Sequence, residues 1–258
     1  MMTEEPVSAG NDAARPARSG PGAVELALLA LAVTVIGTLV AFVLAGQPPL
    51  IGIDDAAITR NYAENLANGH GIVYYAGGER VEGGTAFLWT TLLAVLYALL
   101  PVLPGHGPEL PIIVLSTALT AGAVFCTLAL ASRLAEDIAV SARIAVGVTA
   151  LGLLALPGYF FWAAISMMEV ALWSALLLLL IWRLTRLVRP GAAGLDRWIV
   201  ATAALLPLAR PEGVAVTVGL LAGAAVLCWR LPRVLVVANG AALASFAALT
   251  AFRLAYFG

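Results

Sequence analysis

The sequence predicts an all-α, polytopic membrane protein with about seven crossings, and three observations carry that prediction. Hydrophobic residues make up 62% of the 258 and charged residues only 11%. The mean hydropathy is +0.97. That balance lies far outside the range of soluble globular chains. Apolar runs long enough to span a bilayer recur along the chain, and the fourteen basic residues, all arginine, gather in a few of the segments between them. A net charge of −1 excludes a nucleic-acid partner. Cys126 and Cys228 each lie inside an apolar run, so buried thiols are expected rather than a disulfide framework.

Residues 1–22, rich in Pro, Gly, Ser and charge, read as a disordered cytoplasmic tail. Residues 23–258 form the membrane module. Its apolar runs fall near 25–46, 111–131, 144–165, 169–182, 198–209, 213–229 and 234–252, with a further run at 87–103. The first is too long for a signal-peptide core and reads as a retained helix. Arginine placement decides whether 87–103 crosses. If it does not, ten arginines fall inside and only Arg60, Arg80, Arg210 and Arg253 fall outside. If it does, the distribution inverts at its densest cluster, "WRLTRLVRPGAAGLDRW". Seven crossings follow, with the N-terminus in the cytoplasm, a first external loop at 47–86 and a membrane-lying helix at 87–103.

This topology sends four carboxylates to one external face: Asp54, Asp55, Glu169 and Glu212. Charge at membrane depth is costly and marks a functional candidate unless a structural partner explains it. Asp54 and Asp55 open a helix in which Ile58, Tyr62 and Leu66 recur every fourth residue and Gly69 supplies the stop. One aspartate could serve as an N-cap, which leaves the second unexplained. Adjacent carboxylates repel, and raising one pKa suits a residue that takes a proton from a hydroxyl. Such a pair could also hold a divalent cation, the one cofactor the sequence allows.

Downstream, "GHGIVYYAGGERVEGGT" reads as a short extended run, a Gly-Gly turn and the alternating charges Glu79, Arg80 and Glu82, the pattern of a solvated hairpin loop. His70 on its own is a surface histidine. Glu169, in "SMMEVALW", starts a helix whose dipole it complements, or else lines a site. In "LARPEGV", Pro211 and Gly213 make a turn between two helices, and the short preceding run draws Arg210 and Glu212 below the interface. There they form either a mutual ion pair or a phosphate site, for which arginine geometry is well suited.

The blocks "DDAAITRNYAENLANGHGIVYYAGGERVEGGTAFLW", "SMMEVALW", "ARPEGV" and "FRLAYFG", in this order, resemble the membrane module of GT-C glycosyltransferases, with the nearest likeness to actinobacterial cell-wall arabinofuranosyltransferases. The resemblance implies a hexosyl- or pentosyltransferase of the cytoplasmic membrane that uses a polyprenyl-phosphate sugar donor and an envelope glycan, lipid or protein acceptor. It implies an extracytoplasmic site in which Asp54 or Asp55 is the catalytic base and Arg60, Arg80 and Arg210 hold the donor phosphate, with His70, Glu79, Glu82, Glu169 and Glu212 as further candidates. Members of this kind continue past "FRLAYFG" into more helices and often a soluble domain. The chain therefore reads as a C-terminally truncated module: a fragment, a truncated gene product, or a subunit whose missing part a partner would supply. No GxxxxGK loop or dinucleotide fingerprint is present, so an external transfer needs a lipid-borne donor. The alternatives are a transporter or flippase, in which acids and arginines at membrane depth couple ions, and an inactive membrane scaffold.

Overall fold

The computed structural model describes residues 20–45, 54–100, 109–138, 140–155, 160–162, 166, 168–188, 195–229 and 232–258. The tail at 1–19, the start of the first loop and residues 101–108, which include the end of the 87–103 run, lie outside the described residues. Within them the chain is helical: α1 (Ala23–Ala45), α2 (Asp54–Ala67), α3 (Phe87–Leu99), α4 (Glu109–Asp137), α5 (Ala142–Ala155), α6 (Val170–Val188), α7 (Arg197–Ala209), α8 (Gly213–Leu227) and α9 (Arg233–Phe257).

Four of these helices, α1, α4, α6 and α9, are long and apolar enough to cross a bilayer. The apolar helices α3, α5, α7 and α8 are shorter, 13 to 15 residues. At 1.5 Å per residue each reaches only about 20 Å. Several expected spans differ in extent: those at 111–131 and 234–252 lengthen to Glu109–Asp137 and Arg233–Phe257. The run at 144–165 yields a helix over Ala142–Ala155; of the rest of that run only 160–162, which are helical, are described. The run at 169–182 extends instead to Val188. Arg183 and Arg186 do not end it, because cations near a helix C-terminus are favoured and their aliphatic stems can lie along apolar surface.

Contacts at the helix ends fix the direction of each element. At one end Arg143 on α5 reaches Glu25 on α1 at 3.6 Å. Arg133 on α4 donates to the Trp182 carbonyl (3.3 Å) and to Thr185 Oγ1 (3.2 Å) on α6. There Arg183 also pairs with Asp196 at the head of α7. At the other end Arg210 joins the tail of α7 to the head of α6, and the tail of α9 meets the loop before α3. Helices α1, α5, α7 and α9 therefore run one way and α4, α6 and α8 return. Ten arginines are described: Arg133, Arg143, Arg183, Arg186, Arg197 and Arg233 at the first end, and Arg60, Arg80, Arg210 and Arg253 at the second.

Two apolar cores hold the bundle. One joins α1, the later part of α4, α5 and Phe161. Gly37 is required there, because a Cβ would lie 2.5 Å from the Phe161 ring. The other joins α2, α3 and α6 to α9 around Trp89, Leu93, Leu180, Ile199, Leu206 and Leu235, all 0% exposed. In the α7–α9 contact, the most extensive, both helices bury small residues, Ala203 on one and Ala238 and Ala242 on the other, which lets backbones approach closely. α1 presents Leu28, Leu31, Leu39 and Val43 outward, the surface a lipid environment accepts.

Between Gly69 and α3 the chain forms an irregular loop. The expected hairpin does not appear, and no strand occurs among the described residues. The "GIVYY" run finds no partner strand, so its peptide groups bond to side chains instead: Asn65 Nδ2 donates to the Tyr74 carbonyl (3.0 Å) and Ile72 N–H donates to Tyr256 Oη (3.0 Å). Gly69 does stop α2, at φ 78°, with His70 N–H returning to the Asn65 carbonyl at 2.9 Å.

Candidate functional site

At the second end of the bundle a cavity of about 270 Å³ opens between α2, the loop before α3, and the ends of α6 and α7. Asp55, Glu169 and Arg210 line it. Each side chain arrives from a helix terminus. Asp55 occupies the first turn of α2, Glu169 directly precedes α6, and Arg210 ends α7. Pro207 has no N–H to continue the ladder, and Arg210 is extended at φ −152°, ψ 139°. After Pro211 and Glu212 the chain turns directly into α8. Gly213 packs on the Leu206 carbonyl so closely that a Cβ would overlap it.

Arg210 sits between two acids. Its Nη1 lies 3.6 Å from Glu169 Oε1 and its Nε 2.7 Å from Glu212 Oε1. The Nε–H nevertheless finds no hydrogen-bond acceptor, so the Glu212 contact is an ion pair whose N–H is directed elsewhere. Glu169 is 8% exposed, a burial that carboxylates tolerate only with a cation or a polar cavity beside them. Asp55, by contrast, is exposed and makes no ion pair among the described residues. The remaining wall is Thr59 on α2 and the backbone-rich segment Gly83, Gly84, Thr85 and Ala86. The arrangement combines a carboxylate without a cation, hydroxyls, and an arginine with unspent donor capacity. It can accept a proton on one side and neutralise an anion on the other.

Of the residues singled out by sequence, Asp55, Glu169 and Arg210 share this cavity, and Glu212 joins through Arg210. The Asp54 side chain lies outside the described residues, although its backbone begins α2. A cation held between Asp54 and Asp55 shares that position. Among the described residues no group of three His, Cys, Asp or Glu is arranged around a metal.

The structure does not bring Arg60 or Arg80 to the cavity. Arg60 pairs with Glu64 one turn on (2.8 Å), and Arg80 lies over the Tyr256 ring at 4.7 Å. His70 Nδ1 faces Asn65 Oδ1 at 3.3 Å on the surface. Glu79 is exposed. Glu82 pairs with Arg253 at 2.7 Å and lines a second, much smaller space of about 20 Å³ beside the first, sharing Gly83 and Gly84 with it. Arg253, Tyr256, Thr59 and Thr85 were not among the expected site residues. The charge in "FRLAYFG" was a signal for Arg253. Thr59 recurs four residues after Asp55 and so shares its helix face.

Tyr62, beneath the loop, donates to the Val81 carbonyl at 2.6 Å. Burial pushes its phenol above the ordinary value, the nearby Gly83 amide pulls it down, and Tyr74 and Glu82 add to the rise. Comparisons with protein-family models, with curated proteins and with solved structures returned no match.

Proposed function

We propose that this chain is the transmembrane module of a GT-C-type glycosyltransferase that moves a sugar from a polyprenyl phosphate to an envelope glycan, lipid or protein on the extracytoplasmic face. The observation that carries the reading is the pairing of Asp55 with Arg210 across one cavity at the end of the bundle poorer in arginine. Transfer requires those two groups. Asp55 takes the proton of the acceptor hydroxyl as its oxygen bonds to the anomeric carbon. The bond from that carbon to the phosphate oxygen breaks, and Arg210 stabilises the charge that develops on the departing phosphate. Glu169 and Glu212 hold the guanidinium in place until the phosphate arrives.

In this reading the chain crosses seven times, through α1 and α4 to α9, whose alternating directions are compatible with it, and α2 and α3 lie at the outer surface. The arginine-rich end then faces the cytoplasm. The three short helices reach across where they are buried among longer neighbours and the bilayer thins to meet them.

A transport reading draws on one observation. A groove of about 390 Å³ opens near the arginine-rich end between α4, α6 and α8, lined mainly by residues such as Leu130, Leu184, Leu220 and Leu227, a shape that accepts an acyl chain. Binding separates the readings. Native mass spectrometry of the purified chain with polyprenyl-phosphate sugars and with ordinary anionic phospholipids is expected to show selective retention of the sugar-bearing lipid, lost in Arg210→Ala. Equal retention of both lipid classes would end the donor-site reading.

A further inference from the structure

The loop that forms the cavity wall has no strand pairing, so its position must come from side chains, and most of these belong to the far end of the sequence. Arg253 Nε lies 2.7 Å from Glu82 Oε1, and its Nη2 donates to the Thr85 carbonyl at 3.0 Å, across 168 residues of chain. The Arg253 side chain is 18% exposed, a setting in which a charge-assisted contact is worth more than a solvated surface pair. One turn on, Tyr256 Oη accepts from Ile72 N–H at 3.0 Å, across 184 residues. At Gly71, which has φ 89°, a Cβ would stand 2.6 Å from that oxygen, so the phenol fits against bare backbone. Arg80 closes over the same ring. Phe252 stacks on Tyr256 (5.4 Å between centroids, 22°) and meets Phe87 at 5.5 Å.

These contacts reach the loop at 71, 72, 80, 82 and 85, on both sides of Gly83 and Gly84. The two glycines and Thr85 face the cavity that holds Asp55 and Arg210. Glycines bring no side chain with which to pack themselves in place, so a wall built on them takes its position from its flanks. Glu82 and Thr85 are those flanks, and one guanidinium holds both.

We infer that Arg253, with Tyr256 as a second anchor, is a positioning residue for the cavity. The last turn of α9 clasps the first loop and sets the Gly83–Gly84 wall opposite Asp55 and Arg210. Its structural part stands without any ligand. Its effect on donor binding rests on the reading of the cavity as a donor site.

Hydrogen exchange on the full chain in lipid nanodiscs tests both parts. Arg253→Gln is expected to speed exchange at 70–86 by at least about tenfold, the loss of a hydrogen-bonded charged contact, while α4 and α6 exchange as before. The double variant Glu82→Arg with Arg253→Glu, which restores the ion pair with its charges exchanged, is expected to recover part of the protection, because a carboxylate at 253 has no donor for the Thr85 carbonyl. Unchanged exchange at 70–86 in Arg253→Gln, equal acceleration through the whole chain, or no recovery on charge exchange would overturn the clasp. Should Arg253→Gln fail to fold, Tyr256→Phe decides: faster exchange at 70–76 supports it, and wild-type exchange there overturns it. Binding of polyprenyl phosphate, with and without its monosaccharide, is read on the same samples, and Arg253→Gln is expected to weaken it several-fold. A wild-type chain that binds neither lipid would remove the donor reading, and the exchange data would still decide the clasp.

Discussion

Helix α7 carries an arginine–carboxylate contact at each end, and the two are built differently. At its head Asp196 receives Arg183 Nε at 2.7 Å and Nη2 at 2.5 Å, and its other oxygen caps Trp198 N–H at 3.0 Å. Both side chains are four-fifths buried. Both oxygens of that carboxylate are engaged, by three donors in all, and Trp182 lies beneath the arginine. At its tail Arg210 stands between Glu169 and Glu212 with a long contact to one, a misdirected N–H to the other, and a cavity in front of it. The first arrangement is complete and has nothing left to bind. The second keeps donors unspent at the edge of an open space, which is where an incoming anion is accommodated without first breaking a saturated network. Satisfaction of hydrogen bonds, more than the presence of an ion pair, separates the structural end of this helix from the candidate site.

The sharpest way to break that comparison is to neutralise one acid at each end. Asp55→Asn keeps shape and removes the proton acceptor, so transfer of sugar from a polyprenyl phosphate is expected to fall by about 10²- to 10⁴-fold, the range of a lost general base, with thermal stability little changed because Asp55 is exposed and makes no ion pair among the described residues. Asp196→Ala is expected to do the reverse. It removes a helix cap and strands Arg183, which together cost about 2 kcal/mol, and lowers the unfolding temperature while transfer per folded molecule stays at the wild-type rate. Transfer by Asp55→Asn at the wild-type rate would remove this residue from the chemistry. An inactive but stable Asp196→Ala would move the site to the other end of the bundle.

A smaller effect tests the turn that holds the tail in place. In Gly213→Ala the new Cβ meets the Leu206 carbonyl, and backbone cannot yield as a side-chain tip does, so α7 and α8 must separate slightly at a cost of about 1–3 kcal/mol. Arg210 is displaced with them. Weaker retention of polyprenyl phosphate together with the lost stability is expected. Loss of stability with donor binding intact would show that the turn and the site are mechanically independent.

What the sequence disclosed depends on the range of the interaction. The Arg210–Glu212 turn was legible because Pro and Gly bracket it and a short apolar run leads into it. The meeting of Asp55 with Glu169 followed from placing both at helix starts on one side of an arginine-sorted topology. The Arg60–Glu64 pair had a local signal, since Glu64 stands four residues on, the spacing of a helical ion pair. Arg80 and Arg253 were different: the Tyr256 ring and the Glu82 carboxylate that engage them lie more than 160 residues away in sequence, and no pattern of spacing encodes such a meeting. The loop between 70 and 86 was misassigned for the same reason. Its alternating residues satisfied a strand template, while the partners that hold it came from helices.

The smallest expected effect concerns the loop's other support and is read by pH. Tyr62 is buried and hydrogen-bonded through its proton to Val81, and its folded pKa lies above the ordinary value near 10. A raised pKa on an acid means that the folded state keeps the proton longer than the unfolded state. The stabilisation is therefore present in full below the unfolded value and is lost as pH rises through the folded one. The chain has no lysine, so this alkaline window contains no ammonium groups to confuse the readout, and arginines remain charged throughout it. Hydrogen exchange at 70–86, corrected for its intrinsic pH dependence, is expected to lose protection above about pH 10 in the wild type. Tyr62→Phe, which forgoes a hydrogen bond worth about 1 kcal/mol, is expected to start from weaker protection and to lose less of it over the same range. An identical pH response in the two proteins would leave the Tyr62 hydroxyl without a part in supporting the loop or shaping the cavity.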